Sequence, residues 1–206
     1  MWPSAVILAK WIANNRERFA GKDIIEIGAG CGLTGLAAAL TTQCRSIVLT
    51  DFNDVVLQNL LRNIKLNGVN HVCSAEKLDF YAQDGNSECG WLDRSGVRCR
   101  QVDYVIAADI ICKPDDAVAA AKTCFDALKC GGEAFIICAD SKHRYGVDIF
   151  ERECRKLGIQ VYVQDVKELG TCGDNVNKGL HLTAGYVEGM CLEFFHLQKP
   201  HLSCGM

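Results

Sequence analysis

Asp23-Ile24-Ile25-Glu26-Ile27-Gly28-Ala29-Gly30-Cys31-Gly32-Leu33-Thr34-Gly35 leads directly into Leu36-Ala37-Ala38-Ala39-Leu40. A short apolar, β-branched run meets glycine at every second position, and a run of strong helix formers follows. That order reads as strand, tight turn and helix, an arrangement in which backbone N–H groups can approach a ligand. The spacing of the glycines narrows the ligand. A dinucleotide turn of the form G-x-G-x-x-G needs glycine at position 33, where this chain has Leu33. Gly28, Gly30 and Gly32 instead form E-x-G-x-G-x-G, headed by Glu26.

Outward from this turn, strand-like apolar runs recur at 23–28, 46–51, 72–78, 102–108, 133–139, 159–166 and 190–197. Helix-compatible segments lie at 34–40, 54–66, 115–128 and 147–157, and one more, 4–19, precedes the first strand. Strands alternating with helices of this length predict an α/β fold with crossover units and a mainly parallel sheet. Gly131-Gly132 and Gly158 fall just after helical segments, where a left-handed cap residue is expected. The polar stretch between Val166 and Met190 has no helical period, so the last two strands are expected to pair antiparallel.

The chain has 206 residues, enough for one domain burying roughly 70% of its unfolded surface. The expected organisation is a single domain over 1–206, with 1–19 an N-terminal segment or helix and 20–198 the core. Hydrophobic residues make up 49%, charged residues 23%, and the net charge is −3. That balance argues against broad attraction to nucleic acid or an acidic membrane. The apolar run Ala5–Ala9 is broken by Lys10, too short for a membrane span and unlike a secretory leader. The expected setting is therefore cytoplasmic, extending to the nucleus. Thirteen cysteines, an odd number with no C-x-x-C pair, predict reduced thiols, not a disulfide framework or a zinc site. Cys112, Cys124, Cys138 and Cys191 lie in apolar segments and are expected to act as small hydrophobes. His71, His143, His181, His196 and His201 have no ligand spacing, so neither a metal nor a triad is assigned.

The glycine turn resembles motif I of the class I S-adenosylmethionine methyltransferases. A narrower likeness is carried by Trp2-Pro3-Ser4-Ala5, by Glu26 to Leu33, by Leu49-Thr50-Asp51-Phe52-Asn53, by Asn59-Leu60 with Asn63, and by Asn67-Gly68. In that order they resemble the seven-β-strand protein-lysine methyltransferases, sometimes called methyltransferase family 16, from Trp2 to about Ala139. The resemblance implies a Rossmann-like, doubly wound sheet of seven strands in the order 3-2-1-4-5-7-6. It implies S-adenosyl-L-methionine as cofactor and the lysine of a protein substrate as acceptor, handled by a monomer without nucleic acid or membrane. It also implies upstream strands in relatives, which a chain starting Met1-Trp2 is expected to lack.

Within this frame the cofactor residues expected are Trp2, Glu26, Gly28, Ala29, Gly30, Gly32, Asp51, Phe52, Asp79, Phe80 and Ala108. The glycines admit close approach, because side chains there would collide with the ligand. Asp51 ends the second strand and can accept from the two ribose hydroxyls; helix N-capping, shared with Asp54, is the competing reading. Asp79-Phe80 either meets the adenine or is a strand-end carboxylate beside a core phenylalanine. Glu26 anchors the turn and the methionyl end, or answers a helix dipole. Trp2 is a lid residue by resemblance, or an aromatic of the N-terminal segment. Asp109 matches the family's D-x-x-Y at the end of the fourth strand, but its aromatic position is Cys112. Asp109 is expected to position the acceptor and not to act as a base; capping the turn into Pro114-Asp115-Asp116 is the alternative.

Three rivals remain in view. A nucleic-acid amino-methyltransferase would carry an N-P-P-Y-like run where Asp109-Ile110-Ile111-Cys112 stands. A small-molecule N- or O-methyltransferase would need more covering structure, for which Tyr81–Gln101 is the candidate lid. A cofactor-binding partner protein without turnover would keep the same turn. The cations Lys142-His143-Arg144, with Arg152, Arg155 and Lys156, form either a docking face or a solvated helix surface.

Overall fold

In a computed structural model, which describes residues 2–81, 101–169 and 182–201, the glycine turn joins β1 (Asp23–Ile27) to α2 (Leu33–Thr41). Before them lies α1 (Pro3–Asn14); after them come β2 (Ser46–Asp51), α3 (Asp54–Leu66), β3 (Cys73–Lys77) and β4 (Val102–Ala108). The chain continues through α4 (Pro114–Ala127), β5 (Leu128–Ala139), α5 (Val147–Lys156), β6 (Gln160–Asp165) and β7 (Leu192–Gln198). The seven strands form one sheet in the order β3-β2-β1-β4-β5-β7-β6. All run in one direction except β7, which is antiparallel to both β5 and β6.

Period-two alternation sorts the strand side chains between two layers. Ile24, Tyr104, Ile106 and Phe135 face one way, into a core with Ile7, Leu8, Trp11 and Ile12 of α1, Leu36 of α2 and Leu60 and Ile64 of α3. Ile25, Ile27, Val105, Ala107 and Ile136 face the other, against Ala117, Ala121 and Cys124 of α4 and Phe150 and Cys154 of α5. The short residues of α4 let it lie close to the sheet.

Local chemistry sets the ends. Pro3 occupies the first turn of α1, where its missing N–H costs nothing. Asn53, not Asp51 or Asp54, caps α3: its Oδ1 accepts from the N–H groups of Val55 (2.9 Å) and Val56 (3.3 Å). The expected helix 4–19 stops at Asn14 and becomes a 3-10 turn, Arg16–Phe19, where the Asn15 amide turns back to the Trp11 carbonyl at 2.8 Å. Gly158 is left-handed after α5, as expected, and Ile159 N–H reaches Cys154 O at 3.1 Å, closing a Schellman turn.

Gly131 and Gly132 do not cap α4. The strand β5 starts at Leu128, five residues before the expected Glu133, and its register on β4 slips between Val102 and Tyr104. Gly131, at φ +76°, lies in this irregularity and bonds Lys199 O at 2.9 Å. The carbonyls closing α4 are met by the buried Lys199 ammonium instead, at 2.6 Å to Phe125 O and 2.8 Å to Leu128 O. The described cysteines are all free thiols; Cys124 and Cys138 are buried as expected, but Cys112 is exposed.

Candidate active site

Parallel strands bring their carboxyl ends to one edge of the sheet, the edge at which open α/β folds bind ligands. Gly28 follows β1 there, Phe52 follows β2, Asp79 and Phe80 lie just past β3, Asp109 follows β4 and Asp140 follows β5. The expected site residues therefore converge from strands far apart in sequence.

The glycine turn is left-handed three times, with φ of +63° at Gly28, +55° at Gly30 and +82° at Gly32. Steric reasons differ among the three. A Cβ on Gly28 would come within 2.8 Å of Ile110 Cγ2, and one on Gly32 within 2.7 Å of Leu60 Cδ2. At both positions the protein's own packing favours glycine, since a side chain would crowd Ile110 or Leu60. Only at Gly30 would a Cβ meet nothing within 4 Å. Bonds tie the turn down: Ala29 N–H to Thr50 O at 2.8 Å, Gly30 N–H to Asp51 Oδ2 at 3.2 Å, and Asn63 Nδ2 to Cys31 O at 2.9 Å.

Asp51 is buried at the end of β2, and its second oxygen accepts from Asn53 N–H at 3.1 Å. A carboxylate offers about four lone-pair positions, so the two N–H donors leave acceptor capacity on both oxygens. Its backbone carbonyl takes Leu78 N–H at 3.0 Å, which fixes the Asp79-Phe80 corner next to it. Asp79 spends one oxygen on Tyr81 N–H at 2.9 Å, and Phe80 is half-buried with its ring 5.1 Å from that of Tyr81. Phe52 is 63% exposed and projects outward at the same edge.

Glu26 is only 2% exposed, and its Oε2 accepts from Gly35 N–H at 2.9 Å. It anchors the first turn of α2 from within the core and does not line the open edge. Burial pushes its carboxyl up to about 8, against the opposing effect of the Gly35 N–H and the nearby Thr34 hydroxyl.

At the end of β4, Ala108 is half-buried and Asp109 takes φ +57°, the one left-handed non-glycine among the described residues. Its N–H reaches Ile137 O on β5 at 2.8 Å. Its carboxylate is engaged by a cation: Arg144 Nε and Nη2 bond its two oxygens at 3.1 and 2.7 Å. The Trp2 ring lies 5.0 Å from the Arg144 guanidinium carbon, which places Trp2 beside Asp109's partner. Asp109 does not cap α4. Asp116 does so, its Oδ2 accepting from Cys112 and Lys113 N–H at 2.8 and 3.0 Å. The other Asp116 oxygen accepts from the Tyr81 hydroxyl, so a tyrosine from past β3 stands near the end of β4, where Cys112 provides no ring. Arg144 was visible in the sequence only as part of a cation run. Nothing in one chain announces a partner 35 residues away.

A family model described as lysine methyltransferase matches residues 1–156. The chain belongs to the lysine methyltransferase family. Among its relatives is the bovine (Bos taurus) protein-lysine N-methyltransferase EEF2KMT, 33% identical over 131 residues, which are 63% of this chain and 36% of the relative. The calmodulin-lysine N-methyltransferase of Arabidopsis thaliana is 41% identical over 68 residues, 33% of this chain and 22% of the relative. The chain thus spans about a third or less of the length of these two relatives. Its fold is shared with the [4+2]-cyclase SpnF (TM-score 0.66, 13% identity, 93% of this chain and 80% of that one). It is shared too with a ribosomal protein L11 methylase from Lactobacillus delbrueckii subsp. bulgaricus (TM-score 0.59, 14% identity, 93% and 77%). As a lysine methyltransferase family member, the chain has the glycine turn and Asp51 inside the matched region, and Arg144 as well.

Two expectations fall elsewhere. The candidate lid 81–101 is described only at Tyr81 and Gln101, and His181 also lies outside the described residues. The cations of α5 are paired on that helix, Arg155 with Glu151 and Lys156 with Glu153, as on a solvated helix surface.

Proposed function

We propose that this chain binds S-adenosyl-L-methionine at the carboxyl edge of its sheet and transfers the methyl group to a lysine side chain of a protein substrate. The observation that carries the reading is the tie between Gly30 and Asp51, which holds an unfilled backbone cradle beside a carboxylate with spare acceptor capacity. The residues present fit this cofactor. Gly30 leaves open the space a side chain would fill, Asp51 suits a vicinal diol, and Phe80 offers a half-buried aromatic wall for a base. Asp51 also lacks the positive charge a 2′-phosphate would require.

When bound, S-adenosylmethionine supplies a methyl group on a sulfonium leaving group. The chain's part is to bind, align and exclude water, which for well-aligned reactants is worth effective molarities of about 10⁵ M or more. Gly28, Ala29, Gly30 and Gly32 present backbone to the cofactor, with Asp51, Phe52, Asp79, Phe80 and Ala108 around it. Trp2 closes the side nearest Arg144, and Glu26 acts through the turn it anchors. Asp109 positions the acceptor through Arg144. The whole chain acts as one domain and as a monomer, in the cytoplasm and nucleus. No helix among the described residues is long and apolar enough to cross a membrane.

Incubating the protein with methyl-tritiated S-adenosylmethionine and a cell extract tests the reading. Label recovered as methyl-lysine after acid hydrolysis of the protein fraction, and lost with Asp51→Ala, is the expected result. Label confined to small molecules or nucleic acid, or no transfer at all, would overturn it.

A further inference from the structure

Resting on that reading, we infer that Arg144 faces the acceptor amine and holds it in its neutral, nucleophilic form. A lysine amine titrates near 10.4, so at neutral pH it must lose its proton before it can attack. A bare carboxylate at the end of β4 would do the opposite, since an opposite charge nearby stabilises the ammonium. The geometry removes that obstacle. The Asp109 side chain is 4% exposed and lies behind Arg144, which is 19% exposed. An amine approaching from the open edge meets the guanidinium first. Its cationic face repels an ammonium and tolerates a neutral amine.

The guanidinium is also fixed. Two nitrogens bond Asp109, Nη1 donates to His143 O at 3.2 Å, and Trp2 covers one face. The turn carrying it is itself built on Asp140, whose carbonyl accepts from the N–H groups of His143 and Arg144 at 2.9 and 3.0 Å. The Asp109 hydrogen bonds raise the Arg144 pKa further, so the positive charge persists at any working pH. Ile110, the residue after Asp109, packs over Gly28, so this pair adjoins the glycine turn. Other ionisable groups around the pair are Cys112 and Asp116 from the segment after β4, Tyr81 on Asp116, the buried Cys138 of β5, and Asp140 with its partner His143. Asp116 and Asp140 each hold hydrogen-bond partners of their own, and partial desolvation of the Cys112 sulfur, on a residue otherwise exposed, raises its thiol above the ordinary value.

The test does not need the natural substrate. A nitrogen-for-sulfur analogue of S-adenosylmethionine, whose methyl is extended to a short chain ending in a primary amine, places that amine where the acceptor belongs. With ¹³C at the carbon beside the terminal amine, NMR titration reads its pKa in the complex. The expected pKa is lower than in free solution by about one unit or more, and Arg144→Met raises it above the free value by exposing Asp109. Arg144→Lys keeps the charge and should retain part of the depression; Arg144→Met combined with Asp109→Asn should bring the value back near that of the free analogue. Equal pKa values in the unaltered protein and Arg144→Met would overturn the inference while leaving cofactor binding intact. Failure of the analogue to bind the unaltered protein would instead overturn the cofactor reading, and the inference with it.

Discussion

Gly30 N–H donates to Asp51 Oδ2 at 3.2 Å, joining the turn after β1 to the last residue of β2 across 21 positions. The contact fixes both halves of the proposed cofactor site at once, since the cradle and the carboxylate cannot move independently.

Asp51→Ala should weaken S-adenosylhomocysteine binding about tenfold or more, from lost hydrogen bonds of about 1–3 kcal/mol together. Asp51→Asn, which keeps one acceptor oxygen, should fall between. Calorimetric titration of the three proteins checks this, and equal affinities would remove Asp51 from the site.

Gly30→Ala and Gly32→Ala should fail in different ways. Each imposes a left-handed cost of about 1–2 kcal/mol, but Gly32→Ala also drives a methyl group into Leu60 and Leu49. Its melting temperature should drop further, while its stabilisation by S-adenosylhomocysteine survives. Gly30→Ala should melt closer to the unaltered protein but lose that stabilisation, because its methyl enters the open cradle. Thermal denaturation with and without ligand separates the two.

Glu26 should make stability fall as pH rises. Its folded pKa of about 8 lies above the ordinary 4.5, so the folded state binds the extra proton between those values. Its contribution is complete below about pH 4.5 and is lost as pH climbs through about 8, an upper bound of about 4–5 kcal/mol. Denaturant unfolding at pH 6 and pH 9 should show the decline in the unaltered protein and a flatter response in Glu26→Gln. Parallel responses would mean that the carboxyl is ionised throughout.

Lys199→Met should destabilise the fold by about 2–3 kcal/mol, because the carbonyls of Phe125 and Leu128 lose a charged donor inside the protein. The midpoint of urea unfolding would register it, with no change in S-adenosylhomocysteine affinity expected at this distance from the glycine turn.

Periodic signals carried most of the architecture. All seven strands overlap the expected apolar runs, with β5 beginning five residues early at Leu128, and α3 keeps its expected bounds, because an amphipathic helix with polar ends writes its register locally. The strand order came from family likeness, since pairing between β1 and β4 is not written in either strand alone. Gly131-Gly132 misled because glycine serves a strand irregularity as readily as a helix end, and the true cap, Lys199, arrives from 71 residues beyond Leu128. At the site, the glycine turn and Asp51 were legible through a spacing rule with a physical cause. The pairing of Asp109 with Arg144 and of Asp116 with Tyr81 was not, because each joins segments that only the folded sheet brings to one edge.

Calorimetric titration with S-adenosylmethionine and S-adenosylhomocysteine, with NAD as the control, tests the central claim most directly. Micromolar binding of the first two and none of NAD is the predicted result. Absence of binding by either sulfur ligand, or a preference for NAD, would contradict the cofactor assignment on which the proposed methyl transfer stands.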